Sequence, residues 1–259
     1  MPFGGVLLVA AFLTYVLAAG CCFFGSERGR RVAFWLAAVG LACHTVALGL
    51  RVLESGRLPI ANTYEFLLCF AWATAGSFFV LLRRAGSTPG GAVLALAALF
   101  LGVAVFILPA SQKEVFFLPP ALRSAWLTVH VLTAVLAYAA FAAGAGLAGF
   151  SLVRKDEKAS RELEELVYRI TVFGFAMLSL TIVFGAVWAE QAWGSYWSWD
   201  PKETWSLFTW IVYALYLHFR RKRHWKGRIS AIVVLLGFVL VLFTFFGVNY
   251  LMGGLHSYG

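Results

Sequence analysis

The chain has 259 residues, of which 61% are hydrophobic and 13% are charged, and its formal net charge is +9. A soluble domain carries roughly 25% charged residues, so this composition excludes a soluble fold and indicates an all-α, polytopic membrane protein. The basic residues occur in short clusters between apolar runs, which is typical of membrane topology signals and excludes a nucleic-acid-binding patch.

Crossing a bilayer takes about 20 mostly apolar residues, and by that measure the sequence predicts about eight transmembrane helices. They cover residues 4–24, 33–53, 62–82, 90–110, 125–153, 169–190, 202–220 and 229–250. The first is too long for a signal peptide and lacks a small-residue cleavage pattern, so we expect it to be retained. No soluble domain or internal repeat is visible, and we expect residues 1–259 to form a single transmembrane domain.

Lysine and arginine are unevenly distributed between the two sides of these helices. Sixteen of the 21 basic residues fall on one side and five on the other. Because cytoplasmic loops are enriched in Lys and Arg, we expect both chain termini to lie outside the cytoplasm. Between Arg154 and Arg169, Leu163, Leu166 and Val167 have helical spacing, which predicts an amphipathic surface helix leading into the sixth span. His224, among basic residues, is interpreted as a cytoplasmic loop residue.

The four cysteines lie in or beside apolar segments. None of them forms a Cys-x-x-Cys or Cys-x-x-Cys-His sequence. The chain is therefore neither a thiol oxidoreductase nor itself a c-type cytochrome.

The outer loop from Glu54 to Glu65 has the sequence Glu-Ser-Gly-Arg-Leu-Pro-Ile-Ala-Asn-Thr-Tyr-Glu. Asn62, followed three residues later by Glu65, has the spacing of a capping box and predicts the start of the third helix. Arg57 in this loop is open to two interpretations, an interfacial anchor or a partner for an acidic group of a ligand.

The outer loop at residues 191–205, between the sixth and seventh spans, contains five aromatic residues within thirteen positions. An aromatic belt at the membrane interface supplies roughly one or two such residues per helix end. Their number therefore favours a platform for a large, flat, apolar ligand. Asp200, Pro201 and Glu203 also have the order N-cap, N1 and N3, so Asp200 has a structural explanation as the cap of the next helix.

The run Trp-Gly-x-Tyr-Trp-x-Trp-Asp-Pro-Lys-Glu-Thr-Trp, from Trp193 to Trp205, resembles the tryptophan-rich WWD motif of cytochrome c assembly membrane proteins. It is most similar to the CcsA/ResC branch of System II, because System I relatives differ after the aspartate. The loop ending at Glu65 is similar to a second family segment, Ser-Gly-His-x-Pro-x-x-Asn-x-Tyr-Glu. Arg57 replaces the histidine of that segment, so no iron ligand is expected at this position.

The resemblance implies a function in c-type cytochrome biogenesis. Such a chain would transport haem b through the membrane and present it for covalent attachment to the Cys-x-x-Cys-His sequence of an apocytochrome c. It would work with a CcsB/ResB membrane partner as a subunit of a holocytochrome c synthase, in a bacterial inner membrane or a thylakoid membrane. No catalytic residue is assigned, and no nucleic acid is expected.

The resemblance also implies roles for four histidines. His130 and His256 precede and follow the tryptophan-rich motif on the outer side, and they would supply two axial ligands to haem iron. His44 and His218 lie at membrane depth and would form a transmembrane haem site. Without the resemblance, the first two are ordinary interface or tail residues, and the other two are imidazoles hydrogen-bonded to neighbouring helices.

Other residues complete the expected haem site. The motif residues expected to contact the porphyrin are Trp193, Tyr196, Trp197, Trp199 and Asp200. The outer-face cations that could bind the propionates are Arg51, Arg57, Arg123 and Lys202. Two other functions remain open, a haem-binding regulator without ligation activity and, with no inverted repeat in its favour, a small-molecule transporter.

Overall fold

The computed structural model describes residues 3–23, 26–85, 87–116, 118–119, 122–153, 157–221 and 226–254. These residues form helices and no strand. The helices are α1 (Phe3–Phe23), α2 (Glu27–Ser55), α3 (Thr63–Ala85), α4 (Ser87–Gly102), α5 (Ala110–Lys113), α6 (Ala125–Val153), α7 (Glu157–Trp193), α8 (Pro201–Arg221), α9 (Arg228–Leu242) and α10 (Val248–Leu251). Two π-helical segments, Val103–Ile107 and Phe243–Gly247, continue α4 and α9.

Each predicted span coincides with a helix, and the all-α polytopic class is confirmed. Within the described ranges, seven helices are long and apolar enough to cross a membrane. The exception is α8, which has 21 residues but carries charged residues at both ends and several polar residues between them. The side of the membrane on which each terminus lies stays a prediction.

The chain divides into two compact units, Met1–Phe116 and Phe117–Gly259. In the first unit, α1 packs against α2 and α4, and α3 packs against α4. In the second unit, α6 packs against α7 and α9, and α8 contacts both α7 and α9. That both units act as one functional domain stays a prediction.

Helix α6 is the core of the second unit because its alanines and glycines allow close approach of its neighbours. Phe141 on α6 stacks on Tyr213 of α8, with ring centroids 3.9 Å apart. Glycines on the adjacent helices make room for both rings. A Cβ at Gly174 would lie 2.8 Å from Phe141, and a Cβ at Gly237 would lie 2.6 Å from Tyr213.

The predicted surface helix before the sixth span is the first part of α7. From Glu157 onward the helix runs without a break into the span, since no proline interrupts it. Leu163, Leu166 and Val167 are buried, as their spacing predicted. The carboxylate of Glu164 accepts a hydrogen bond of 2.8 Å from the backbone N–H of Gly227, which ties this part of α7 to the start of α9.

Candidate functional site

The tryptophan-rich loop connects α7 to α8 through two residues with positive φ. Gly194 (φ +75°) ends α7, and its N–H donates to the carbonyl of Glu190. Trp199 has φ +59°, a conformation that costs a side-chain-bearing residue on the order of 1 kcal/mol. Because 68% of Trp199 is exposed, its burial does not offset this cost. Contacts elsewhere in the loop must therefore hold Trp199 in place.

These contacts come from the start of α8, where the predicted capping box is confirmed. The side chain of Asp200 accepts a hydrogen bond from the N–H of Lys202 (3.0 Å), and Glu203 accepts from the N–H of Asp200 (3.2 Å). Glu203 also accepts from the N–H of Ser198 (2.8 Å). The hydroxyl of Thr204 donates to the carbonyl of Trp199 (3.2 Å), which fixes the backbone of that residue.

The loop aromatics form edge-to-face pairs and present two well-exposed rings. Trp197 and Trp199 have ring centroids 5.7 Å apart at 90°. Trp193 packs at 73° against Trp188, a buried residue of α7 that lies outside the sequence motif. Trp199 and Tyr196 are the exposed rings, at 68% and 60%. A flat ligand would therefore meet ring faces and ring edges alternately.

His130 lies on α6 and faces α7. Its Nδ1 is 2.8 Å from the backbone carbonyl of Thr181, and its ring is nearly parallel to that of Trp188, with centroids 6.1 Å apart. Because a carbonyl oxygen can only accept, Nδ1 of the neutral imidazole carries the proton, and the lone pair of that ring is on Nε2. Nε2 can bind a metal only in this tautomer. The hydrogen bond from Nδ1 to the carbonyl of Thr181 also increases the basicity of Nε2.

A glycine on α7 allows His130 to reach this position. A Cβ at Gly185 would lie 2.7 Å from Nδ1 of His130 and 2.8 Å from Cε1. Real Cβ atoms essentially never approach other atoms so closely, so any larger residue would displace the imidazole. Gly185 and Trp188 are not predictable from the sequence as neighbours of His130, because only the packing of α6 on α7 brings them together.

The described part of the carboxyl-terminal tail ends beside the tryptophan-rich loop. A Cβ at Gly254 would contact a carboxylate oxygen of Asp200 and would lie 3.1 Å from Cδ of Pro201. The backbone at Gly254 therefore lies against the cap of α8. His256 is outside the described residues.

His44 lies on α2 and is fully buried. Its Nδ1 is 3.4 Å from the hydroxyl oxygen of Tyr15 on α1. The backbone of Leu68 also interacts with the ring, but Nε2 makes no hydrogen bond to any described residue. The contact of His44 with Tyr15 is not predictable from the sequence, because the two residues are 29 positions apart and on different helices.

His218, on α8, is exposed, and its ring lies edge-on to that of Phe219, with centroids 5.4 Å apart. It belongs to the second compact unit, whereas His44 belongs to the first. The expectation that these two histidines form one transmembrane haem site stays a prediction. His224 is outside the described residues.

Arg57 takes part in a buried ion cluster. The carboxylate of Glu65, which is fully buried, accepts from Arg57 Nη1 at 2.7 Å and from Arg51 Nη2 at 2.9 Å. The same carboxylate accepts from the N–H of Ala61, while Asn62 Oδ1 accepts from the N–H of Glu65. Asn62 thus caps α3 as predicted, but Glu65 mainly pairs with the two arginines.

Arg51 extends this cluster to the segment that follows α5. Its guanidinium donates to the carbonyls of Lys113 (2.7 Å) and Glu114 (3.0 Å). The cluster therefore joins the end of α2, the start of α3 and residues 113–114. Arg123 is exposed and donates to the carbonyl of Leu118.

Comparison with known proteins finds a family match over the region that contains the tryptophan-rich loop. A family model described as cytochrome C assembly protein matches residues 60–256, which include the loop, His130, His218 and His256. The chain belongs to the cytochrome c assembly protein family. His44 and Tyr15 precede the matched region.

Relatives of this family align with nearly the whole chain. The cytochrome c biogenesis protein CcsA of Synechococcus sp. (strain CC9902) is 38% identical, over 96% of this chain and 94% of its own length. That of Prochlorococcus marinus (strain MIT 9303) is 37% identical, over 97% and 92%. CcsA of Chlamydomonas reinhardtii is 40% identical, over 80% of this chain and 62% of its own length.

A solved structure shares the fold. The cytochrome c heme lyase CcmF superposes with a TM-score of 0.74 at 19% identity, over 94% of this chain. The chain spans 46% of the length of that protein. At this identity the similarity concerns the fold alone.

Proposed function

We propose that this chain transports haem through the membrane and presents it on the outer side for covalent attachment to an apocytochrome c. The observation that carries this proposal is the contact of His130 Nδ1 with the carbonyl of Thr181, which selects the tautomer in which Nε2 can act as an iron ligand. Family membership, together with relatives named cytochrome c biogenesis protein, supports the same function.

The outer haem site comprises the loop and two histidines. His130 and His256 are the proposed axial ligands of haem b, and the porphyrin contacts Trp193, Tyr196, Trp197 and Trp199 beside Asp200. Gly254 lies against Asp200, and the two residues from Gly254 to His256 reach at most about 7 Å. The tail therefore starts close enough for His256 to serve this loop.

Presentation in this site would accelerate thioether formation by orientation. Each cysteine thiol of the apocytochrome adds across one haem vinyl group: sulfur bonds to one vinyl carbon, and the other carbon gains a proton. No oxidant or leaving group is required. Holding the vinyl groups at a fixed position converts an encounter of free haem and thiol into an oriented reaction.

The route to this site is proposed to include His44 and His218. Ionisable side chains are rare in membrane helices and are functional candidates by default. His44 offers a buried Nε2 without a hydrogen bond to a described residue, and His218 offers an exposed ring on α8.

Arg57 and Arg51 share the single carboxylate of Glu65, so their cluster keeps one positive charge in excess. This excess supports Arg57 as a partner for a haem propionate. We further propose that a CcsB/ResB subunit binds the apocytochrome, that the two chains form a holocytochrome c synthase, and that they reside in a bacterial inner membrane or a thylakoid membrane.

The test is maturation of a reporter apocytochrome c by this chain co-expressed with its partner. We expect His130→Ala and His256→Ala to abolish haem attachment, and added imidazole to restore part of it by replacing the missing ligand. His224→Ala is the control, since it removes a histidine from a predicted cytoplasmic loop. Full activity of both outer-site variants would contradict the proposal and favour a regulatory role without ligation.

A further inference from the structure

The surroundings of His44 differ chemically from those of His130. The polar side chain in contact with its Nδ1 is the hydroxyl of Tyr15, at 3.4 Å. A hydroxyl can donate or accept, so this contact is compatible with either tautomer of a neutral imidazole. Both side chains are fully buried, so the two tautomers differ in how many buried polar groups they leave unpaired.

If Tyr15 donates to Nδ1, the imidazole proton is on Nε2, and the Nε2–H is the one side-chain group of this pair without a hydrogen bond to a described residue, although the backbone of Leu68 also interacts with the ring. If Nδ1 donates to Tyr15, the phenol O–H and the Nε2 lone pair of His44 are both unpaired. Each buried unpaired group costs free energy; both arrangements leave one donor unpaired, but the second also leaves an acceptor unpaired. The first arrangement is therefore favoured while no ligand is bound.

Packing holds Tyr15 at this position. A Cβ at Gly40 would lie 2.8 Å from Cε1 of Tyr15, and the Thr14 hydroxyl oxygen would also meet it. Gly40 and His44 are one helical turn apart on α2, so the glycine that admits the tyrosine ring lies next to the imidazole. The contact thus follows from the packing of α1 against α2 rather than from the rotamer of one exposed side chain.

We propose that Tyr15 is a positioning residue that keeps His44 in the tautomer unable to bind iron and thereby makes it a transient haem ligand. This inference rests on the proposed function, in which His44 contacts haem. Binding of iron by Nε2 requires the proton to move from Nε2 to Nδ1, and the oxygen of Tyr15 then becomes the acceptor. The phenol O–H of Tyr15 loses its acceptor, Nδ1, in that step, so Tyr15 favours release of haem from His44.

The first experiment measures haem release to excess apomyoglobin from detergent-purified protein carrying His130→Ala, which removes the proposed outer ligand. We expect Tyr15→Phe to slow release about three- to tenfold, the effect of one net hydrogen bond. The same substitution should have no effect when His44→Ala is also present. Tyr213→Phe is the matched control, since it removes a buried tyrosine hydroxyl that donates to the carbonyl of Val234. An unchanged or faster release in Tyr15→Phe would overturn the inference.

The second experiment needs no haem. Nitrogen-15 NMR of histidine-labelled protein from haem-deficient cells reports which ring nitrogen carries the proton. We expect an Nε2–H signal for His44, assigned through His44→Ala, and partial conversion to Nδ1–H in Tyr15→Phe. A dominant Nδ1–H form in the unsubstituted protein would overturn the positioning role. If His44→Ala leaves haem content and release unchanged while the Nε2–H signal is present, then the proposed haem role of His44 fails and the tautomer assignment survives.

Discussion

His130 and His44 are imidazoles on membrane helices whose Nδ1 atoms face different partners. Nδ1 of His130 faces a backbone carbonyl, which places the proton of the neutral ring on Nδ1 and its lone pair on Nε2. Nδ1 of His44 faces the hydroxyl of Tyr15, which permits either tautomer. On the proposed function, the partner of Nδ1, rather than the depth of the histidine in the membrane, would determine how firmly each histidine holds iron.

The largest effect is expected from substitution of Glu65, which lies in the same compact unit as His44. We expect Glu65→Gln to destabilise that unit by about 3–5 kcal/mol, because the buried Arg51 and the partly exposed Arg57 lose their shared carboxylate. The measurement is thermal unfolding in detergent, with haem binding at each histidine followed in parallel.

Glu54→Gln is the matched control, since it removes an exposed glutamate near the same end of α2. We expect Glu65→Gln to weaken haem binding at His44 more than at His130, where it would act only through the proposed propionate contact of Arg57. Equal loss at both histidines would mean that the two regions do not behave separately.

A smaller effect is expected from Gly185→Ala, which tests the fixed tautomer of His130. The new Cβ would lie 2.7 Å from Nδ1, so the ring must move away from the carbonyl of Thr181. Overpacking of this kind costs about 1–3 kcal/mol, and we expect outer-site haem affinity to fall by about tenfold or more.

The measurement is haem content of the purified variant, with and without added imidazole. Gly144→Ala is the control, since a Cβ at Gly144, on the same helix as His130, would make only ordinary contacts, the nearest at 3.7 Å. Normal haem content in Gly185→Ala would show that haem binding by His130 does not depend on its contact with Thr181.

The smallest effect is expected at Asp200, where the cap of α8 supports the loop served by His130. Asparagine caps helices as well as aspartate does, so we expect Asp200→Asn to leave stability nearly unchanged and Asp200→Ala to cost about 1 kcal/mol. Thermal unfolding and haem content of both variants distinguish capping from a role of the negative charge. Equal loss of haem in both would assign the carboxylate a direct part in binding.

The helices were predictable from sequence because the bilayer requires about 20 apolar residues per span and this requirement is visible in composition. The caps at Asn62 and Asp200 were predictable because capping involves residues within one helical turn. The capping pattern did not reveal, however, that Glu65 pairs with two arginines, because a local spacing gives no information on which long side chains reach a carboxylate.

The environment of each histidine was not predictable from the sequence. Tyr15 contacts His44 across the packing of α1 on α2, and Gly185 contacts His130 across that of α6 on α7. These contacts depend on helix rotation and register, which apolar periodicity does not determine in helices that are hydrophobic on most of their faces.

The most direct test of His130 as the firm haem ligand is the absorption spectrum of the protein purified with its partner, in the reduced and oxidised states. We predict a bis-imidazole haem spectrum that His130→Ala weakens and exogenous imidazole restores. We also predict that His44→Ala leaves the outer-site signal intact. A spectrum unchanged by His130→Ala and lost in His44→Ala would contradict this prediction, because the haem would then be bound most firmly by His44, whose contact with Tyr15 permits either tautomer.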